Sequence, residues 1–273
     1  MSGIERAVVF PGQGSLGGEI SGAVRAAVLD HLGDGDVPYQ LAVFANSVDL
    51  HYRLRDAGLD ADVVAGHSLG EYAAAHAAGS LGLADGVRLV AERDRLMNEA
   101  SQETPGGMVA LIGADPDAVA EAVERSGGAV VAANFNSPRQ IVVSGQVDAL
   151  EEVTEGLRGR KVRLQVAGAF HSPLMAQAAR KMDGMLEAVE FDEPDIAMVG
   201  ATDGIVLTTA DGVREALRNQ MLSPVRWVAV VERLLELGVR EIFEAGEDGT
   251  LTRMLRDFKR KDVTGATVGE VLS

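Results

Sequence analysis

Short apolar runs alternate with longer amphipathic stretches along the chain. Ala7-Val8-Val9-Phe10 is an apolar run of strand length, closed by Pro11-Gly12-Gln13-Gly14-Ser15. Residues 19–32 and 38–57 carry helical patterning. In the second, Leu41, Phe44, Val48 and Leu54 recur at near-helical spacing with Val43 beside them. The run at 62–65 reads as a short strand and the alanine-rich stretch at 71–78 as the helix that follows it. Residues 83–100 predict a longer helix, its apolar positions including Leu83, Val87, Val90 and Met97, with Leu89 and Leu96 beside them.

From Gly107 the elements shorten. Strands are predicted at 108–112, 129–133, 140–144 and 162–166, with helices at 116–126 and 147–157. That order, βαββαβ, is the split pattern of ferredoxin-like units. It reads as a small subdomain at 105–167 inserted into a larger α/β unit made of 1–104 and 168–273. Beyond the insert, a helix running toward 189, a strand at 196–199, helices at 212–220 and 224–237, a strand at 241–244 and a helix at 250–258 continue the alternation. Repeated βα units outside the insert predict an α/β fold with a parallel sheet covered on both faces.

Composition narrows the function classes. At 273 residues the chain is long enough for one large domain carrying an insertion. The hydrophobic fraction of 47% is ordinary, and no apolar run approaches the length of a membrane span. The opening MSGIERAVVFPGQG carries a glutamate and runs straight into strand-like sequence, unlike a signal peptide. There is no cysteine, so thiolate catalysis, disulfides and cysteine–metal sites are excluded, and a cytoplasmic setting fits. A formal net charge of −16 argues against nucleic acid or an anionic membrane as partner.

The chemistry concentrates where the strand at 62–65 meets the helix at 71–78. Gly66-His67-Ser68-Leu69-Gly70 between them is the G-x-S-x-G pattern of a nucleophile elbow. A serine on so tight a turn adopts a strained backbone that neighbouring side chains would block, hence the flanking glycines. The free N–H groups at the helix start then face any oxyanion forming there. Of five histidines, His67 is held beside the serine by the backbone, His76 lies two turns into the next helix, and His31 and His51 fall in helical stretches. His171, in a loop of small residues before Ser172-Pro173, is the best-placed base. No aspartate stands out as a third member, and a backbone carbonyl can orient the imidazole equally well. Arg93 lies on the apolar arc between Leu89 and Leu96, whereas Arg95 falls on the solvated face. A snorkelling stem, a partner for a nearby carboxylate and a ligand-binding group are the readings open to Arg93.

The stretches FPGQGS (10–15), GHSLGEYAA (66–74), ERDRLM (92–97), NFNSPRQIVVSG (134–145), GAFHSPLM (168–175) and SPVRW (223–227) occur together and in this order. In them the chain resembles the malonyl-CoA:acyl carrier protein transacylases and the acyltransferase domains of polyketide synthases. The resemblance implies a hydrolase-like α/β core carrying the ferredoxin-like insert. It implies Ser68 as nucleophile and His171 as its base, with the main-chain N–H groups of Gln13 and Leu69 as oxyanion hole. It also implies that Arg93 grips the free carboxylate of malonyl and that the Gln220 carbonyl orients the histidine. The activity implied is malonyl transfer from malonyl-CoA to the phosphopantetheine thiol of an acyl carrier protein, or of a polyketide synthase carrier domain, through an ester on Ser68. No metal or organic cofactor is implied.

Leu69 and Phe170 resemble residues of malonyl-selecting members, where bulk crowds a substituent at the α-carbon; methylmalonyl is the alternative unit, because Arg93 itself would hold either. An editing hydrolase of carrier-bound acyl groups and a non-catalytic carrier-docking protein are the competing functions. The intact serine and histidine, and for the hydrolase Arg93, argue against them. The chain departs from the family in Leu16, where glutamine is usual, in a shortened stretch before the elbow, in VGATDG (199–204) and in GEDGT (246–250). These departures bear on the entry for CoA and carrier. A monomer is expected, with the carrier meeting a basic cluster of Arg158, Arg160, Lys161, Arg163, Arg180 and Lys181.

Overall fold

A computed structural model describes residues 3–13, 20, 22–33 and 35–273. Strand β1 (Arg6–Phe10) is followed by helices α1 (Gly22–Leu32) and α2 (Tyr39–Asp56), strand β2 (Val63–Gly66) and helices α3 (Gly70–Ala77) and α4 (Leu83–Glu103). Then come β3 (Gly106–Ile112), α5 (Pro116–Arg125), β4 (Val130–Ser137), β5 (Gln140–Gln146), α6 (Val147–Glu155) and β6 (Arg160–Arg163). The chain closes with α7 (Ala176–Glu187), β7 (Ala197–Val199), β8 (Val206–Leu207), α8 (Ala210–Asn219), α9 (Trp227–Leu237), β9 (Glu241–Glu244), α10 (Thr250–Leu255), β10 (Thr264–Thr267) and α11 (Val268–Val271). Gly14, Ser15 and Leu16 of the first glycine loop, and part of the stretch before α1, lie outside the described residues.

The larger sheet has the order β10-β9-β1-β2-β7-β8 and is parallel except for β8, which runs antiparallel to β7. Its central strands are buried on both faces. Val8, Phe10 and Val64 face a core shared with Leu41, Phe44, Tyr72, Leu89 and Leu96, while Ala7, Val9, Val63 and Ala65 face a second core with Trp227, Val230 and Leu234. With apolar side chains needed on both sides, such strands read as continuous apolar runs.

The smaller sheet is wholly antiparallel, with the order β4-β5-β3-β6. Its faces divide by the strand period. Leu111, Ile141 and Val143 join Val119 and Leu150 in a core of their own, whereas Met108, Ala110 and Val142 pack into the main core. The edge of β4 is tied to the larger unit by backbone bonds from Phe135 N to Val225 O, 2.8 Å, and from Val225 N to Ala133 O, 2.9 Å.

Several elements shift by a few residues from the expected bounds, and strands β4 and β6 differ most among the strands. β4 continues to Ser137 because its ladder passes the polar residues through register shifts between Ala132 and Asn134 and between Phe135 and Ser137. β6 ends at Arg163; Leu164 N still donates to Met108 O of β3 at 2.9 Å, and Leu164 and Val166 line a cavity. Strands β8 and β10 and helix α11 lie outside the expected elements; β8 is two residues within the short run Ile205-Val206-Leu207, and β10 and α11 have no apolar run.

Candidate active site

β1 and β2 run side by side with Phe10 opposite Gly66, so the loops leaving their C-terminal ends emerge together. That edge is where parallel α/β sheets place their ligands. The elbow closes on it: His67 N donates to Phe10 O at 2.9 Å, and Ser68 adopts a φ of +52°, a left-handed conformation uncommon outside glycine. Both flanking glycines are sterically required. A β-carbon on Gly66 would stand 2.2 Å from the Gly70 backbone, and one on Gly70 would stand 2.1 Å from Phe10 O. The first glycine loop lies against the same turn, since a β-carbon on Gly12 would meet His67 O at 2.8 Å and Ser68 Cβ at 3.6 Å. At the start of α3 the N–H of Leu69 has no backbone acceptor among the described residues.

His171 reaches Ser68 from the other half of the chain, its Nε2 lying 2.8 Å from Ser68 Oγ. Its φ of +56° makes it the second strained residue of the site. The loop is pinned by Ser172, whose hydroxyl donates to Ala169 O at 2.6 Å and accepts from Leu174 N at 3.3 Å. Two carbonyls, Gln220 O at 2.8 Å and Ser223 O at 3.1 Å, flank Nδ1. Carbonyls only accept, so Nδ1 carries the proton and Nε2 presents its lone pair to the serine. Burial, then the nearby Arg93 charge, lowers the His171 pKa to about 4, so the imidazole is a neutral base at physiological pH.

The other histidines are engaged elsewhere. His67 Nε2 lies 2.8 Å from Asn136 Oδ1 on β4, and His76 sits between the Tyr52 hydroxyl at 2.6 Å and Leu81 O at 2.8 Å. His51 is buried edge-on to Phe10, and His31 is exposed on α1.

Arg93, 1% exposed, projects from α4 toward Ser68. Nη2 donates to Gln220 Oε1 at 3.0 Å and lies 3.4 Å from Ser68 Oγ, Nη1 donates to Gln40 Oε1, and the guanidinium stands over the Tyr72 ring. None of these partners is charged. Arg93 makes no ion pair among the described residues, and its buried Nε–H has no acceptor. Burial lowers its pKa from the usual value, yet an arginine stays protonated in proteins. A buried cation with an unused donor is incomplete without an anion.

A cavity of about 230 Å³ opens above Ser68 and His171. The glycine loop supplies Gly12 and Gln13, the insert supplies Met108, Asn136 and Val142, and α10 supplies Met254. Phe170 lines this cavity, but Leu69 does not: its side chain is 1% exposed and belongs to the main core. The basic residues expected to meet a carrier are all exposed. Lys161 Nζ donates to Glu155 O at 3.0 Å, Arg163 pairs with Glu151 at 3.8 Å and Lys181 with Glu99 at 3.4 Å.

Gln40, Glu71 and the side chain of Gln220 were not foreseen. Glu71 follows the elbow directly and is fully buried; its Oε1 accepts from Ala201 N and its Oε2 from Gln220 Nε2, both at 2.8 Å. An acid buried one turn from the nucleophile was the available signal. Among the described residues no helix is long and apolar enough to cross a membrane, and no three His, Asp or Glu side chains could hold a metal ion.

The profile of the acyl transferase domain family matches residues 24–270. A malonyl CoA-acyl carrier protein transacylase of Bacillus subtilis is 34% identical over 229 residues, covering 81% of this chain and 72% of that protein. The crystal structure of the Synechocystis malonyl-CoA:ACP transacylase superposes with a TM-score of 0.88 at 32% identity, covering 97% of both chains. A malonyl-transacylase solved in complex with a holo type II PKS acyl-carrier protein also gives 0.88, at 32% identity, covering 96% of this chain and 95% of that one.

Proposed function

The chain belongs to the acyl transferase domain family, and from that premise we propose that it transfers malonyl from malonyl-CoA to the phosphopantetheine thiol of an acyl carrier protein. The observation that carries this reading is the buried, unpaired Arg93 within 3.4 Å of a serine that is itself 2.8 Å from a neutral histidine. A carboxylate on the acyl chain supplies the missing anion and fixes the thioester over Ser68.

In the first half-reaction Ser68 Oγ attacks the thioester carbon as its proton passes to His171 Nε2. The oxyanion is held by the N–H groups of Leu69 and Gln13. The C–S bond then breaks, and the departing CoA sulfur takes the proton from His171. In the second, the carrier thiol gives its proton to His171 and attacks the ester, and the proton returns to Ser68 as the C–O bond breaks. Serine, imidazole and backbone amides supply every group this sequence needs, so neither half-reaction calls on a metal or an organic cofactor. Phe170 limits room at the acyl α-carbon and favours malonyl over methylmalonyl.

The partners are malonyl-CoA and a carrier of fatty acid or polyketide synthesis. The protein acts as a cytoplasmic monomer, and the carrier meets Arg160 and Lys161 on the exposed edge strand β6. Incubation with labelled malonyl-CoA tests the whole reading. A mass shift on Ser68 that persists until carrier is added supports it, loss of label to water means a hydrolase, and absence of label means no acyl enzyme forms.

A further inference from the structure

Gln220 joins the two halves of the site. Its carbonyl holds His171, and its side chain stands between Arg93 and Glu71. The amide orientation follows from its neighbours. Arg93 only donates, so Oε1 faces it at 3.0 Å; Nε2 faces Glu71 Oε2 at 2.8 Å and Ser68 O at 3.2 Å. The other Glu71 oxygen is occupied by the N–H of Ala201 at 2.8 Å. An ionised Glu71 therefore sees a donor at each oxygen and locks the amide in the one orientation that offers Arg93 an acceptor.

We propose that Glu71 is a positioning residue for acyl selectivity, fixing the Gln220 amide and through it the guanidinium that receives the acyl carboxylate. This inference rests on the malonyl-transfer reading. A protonated Glu71 has to donate from one oxygen. Ala201 N–H cannot accept, so Gln220 turns its Oε1 to the acid, giving up the longer 3.2 Å bond to Ser68 O, and turns its Nε2 to Arg93, where two donors then oppose each other. Arg93 leaves its place beneath Ser68, while the carbonyl that holds His171 is unaffected. Attack on an ester continues and recognition of the carboxylate weakens.

Glu71 titrates where this matters, because burial pushes its pKa up to about 7. Asp203, from the turn after β7, raises it further; Arg93 on α4 and the bonds from Ala201 and Gln220 oppose the rise, and Tyr72 beside it on α3 stays neutral. Over pH 5.5–8.5 a malonyl thioester keeps its carboxylate ionised and His171 stays neutral, so neither contributes to a change there.

The test is the ratio of Ser68 acylation rates with malonyl-CoA and acetyl-CoA, measured on one preparation so that any loss of folded protein cancels. In the wild type the ratio should fall by about tenfold from pH 8.5 to 5.5, the loss of one charge-assisted hydrogen bond. In Glu71→Gln, whose amide also turns a donor toward Gln220, it should be low and flat with pH. A wild-type ratio that does not move with pH, or a Glu71→Gln ratio that keeps the wild-type value and profile, overturns the inference. A wild type that takes no malonyl at any pH overturns the malonyl-transfer reading and this inference with it.

Discussion

Truncating Arg93 to alanine removes the one buried cation found next to Ser68 among the described residues. The side chain is 1% exposed, and among the described residues its guanidinium is held by Gln40, Gln220, Ser68 and the Tyr72 ring, so an acyl carboxylate reaching it enters a site screened from water. Removing one partner of a buried ion pair costs about 3–5 kcal/mol. At about 1.4 kcal/mol per decade, malonyl acylation should slow by about 10²–10⁴-fold in kcat/KM. Acetyl should behave oppositely. In the wild type it crowds an unpaired guanidinium and offers no anion, whereas in Arg93→Ala that penalty is gone. The assay is acylation of Ser68 by malonyl-, methylmalonyl- and acetyl-CoA, followed by the mass of the intact protein in both variants. Equal use of acetyl and malonyl by the wild type, or an Arg93→Ala variant that keeps the malonyl preference, refutes the carboxylate clamp. A wild-type preference for methylmalonyl refutes only the crowding assigned to Phe170.

Ser68→Ala should abolish labelling by malonyl-CoA while leaving the thermal transition in place; transfer at a comparable rate would mean a different nucleophile. His171→Ala should slow acylation and deacylation together, by rapid quench, and normal acylation would transfer the base role to another group. With acetyl-CoA and the Glu71→Gln variant, in which position 71 no longer titrates, the acylation rate should be level above about pH 5 and fall as His171 protonates near 4, so a loss of rate on lowering the pH through about 6.5 would refute the buried neutral imidazole. Charge reversal at Arg160 and Lys161 should raise KM for the carrier more at low salt than at high; no change at low salt would remove β6 from the carrier surface.

What could be read from the sequence depended on how local each signal was. The runs at 7–10 and 62–65 are apolar on both faces because β1 and β2 are covered on both, and the order βαββαβ survived because each element is short and bounded. β4 was cut short since Asn134, Asn136 and Ser137 break the apolar pattern while the ladder goes on through its shifts. Among the site residues, Ser68 is announced by the glycines its turn requires, and Arg93 by an arginine on an apolar arc. The network around Arg93 was not visible. Gln220 meets Glu71 across 149 positions, and Gln40 meets Arg93 across 53, so no spacing rule joins them. Leu69 marks the other limit: a residue beside the nucleophile was expected to bound the acyl pocket, but the helical turn points it into the core.

On the proposed reading, the separation of Glu71 from Arg93 is what lets the site choose a charged acyl group. Both side chains are buried within one site, and a direct ion pair between them would satisfy each by the strong attraction available away from water. The guanidinium would then have little left for a substrate. Gln220 stands between them as a neutral amide, accepting from Arg93 and donating to Glu71, so that its own amide is satisfied while no carboxylate pairs with the guanidinium. The arrangement leaves an unpartnered Nε–H on Arg93, beside two residues, Ser68 and His171, held in strained backbone conformations. Each feature lowers the stability of the free protein, and all lie at the C-terminal edge of β1 and β2, over two rigid cores. An uncharged acyl group would relieve none of the electrostatic part. In the proposed reaction a carboxyacyl group supplies the missing anion at the position where Ser68 would attack, so recognition of the acyl carboxylate and alignment of the reacting carbon become one event.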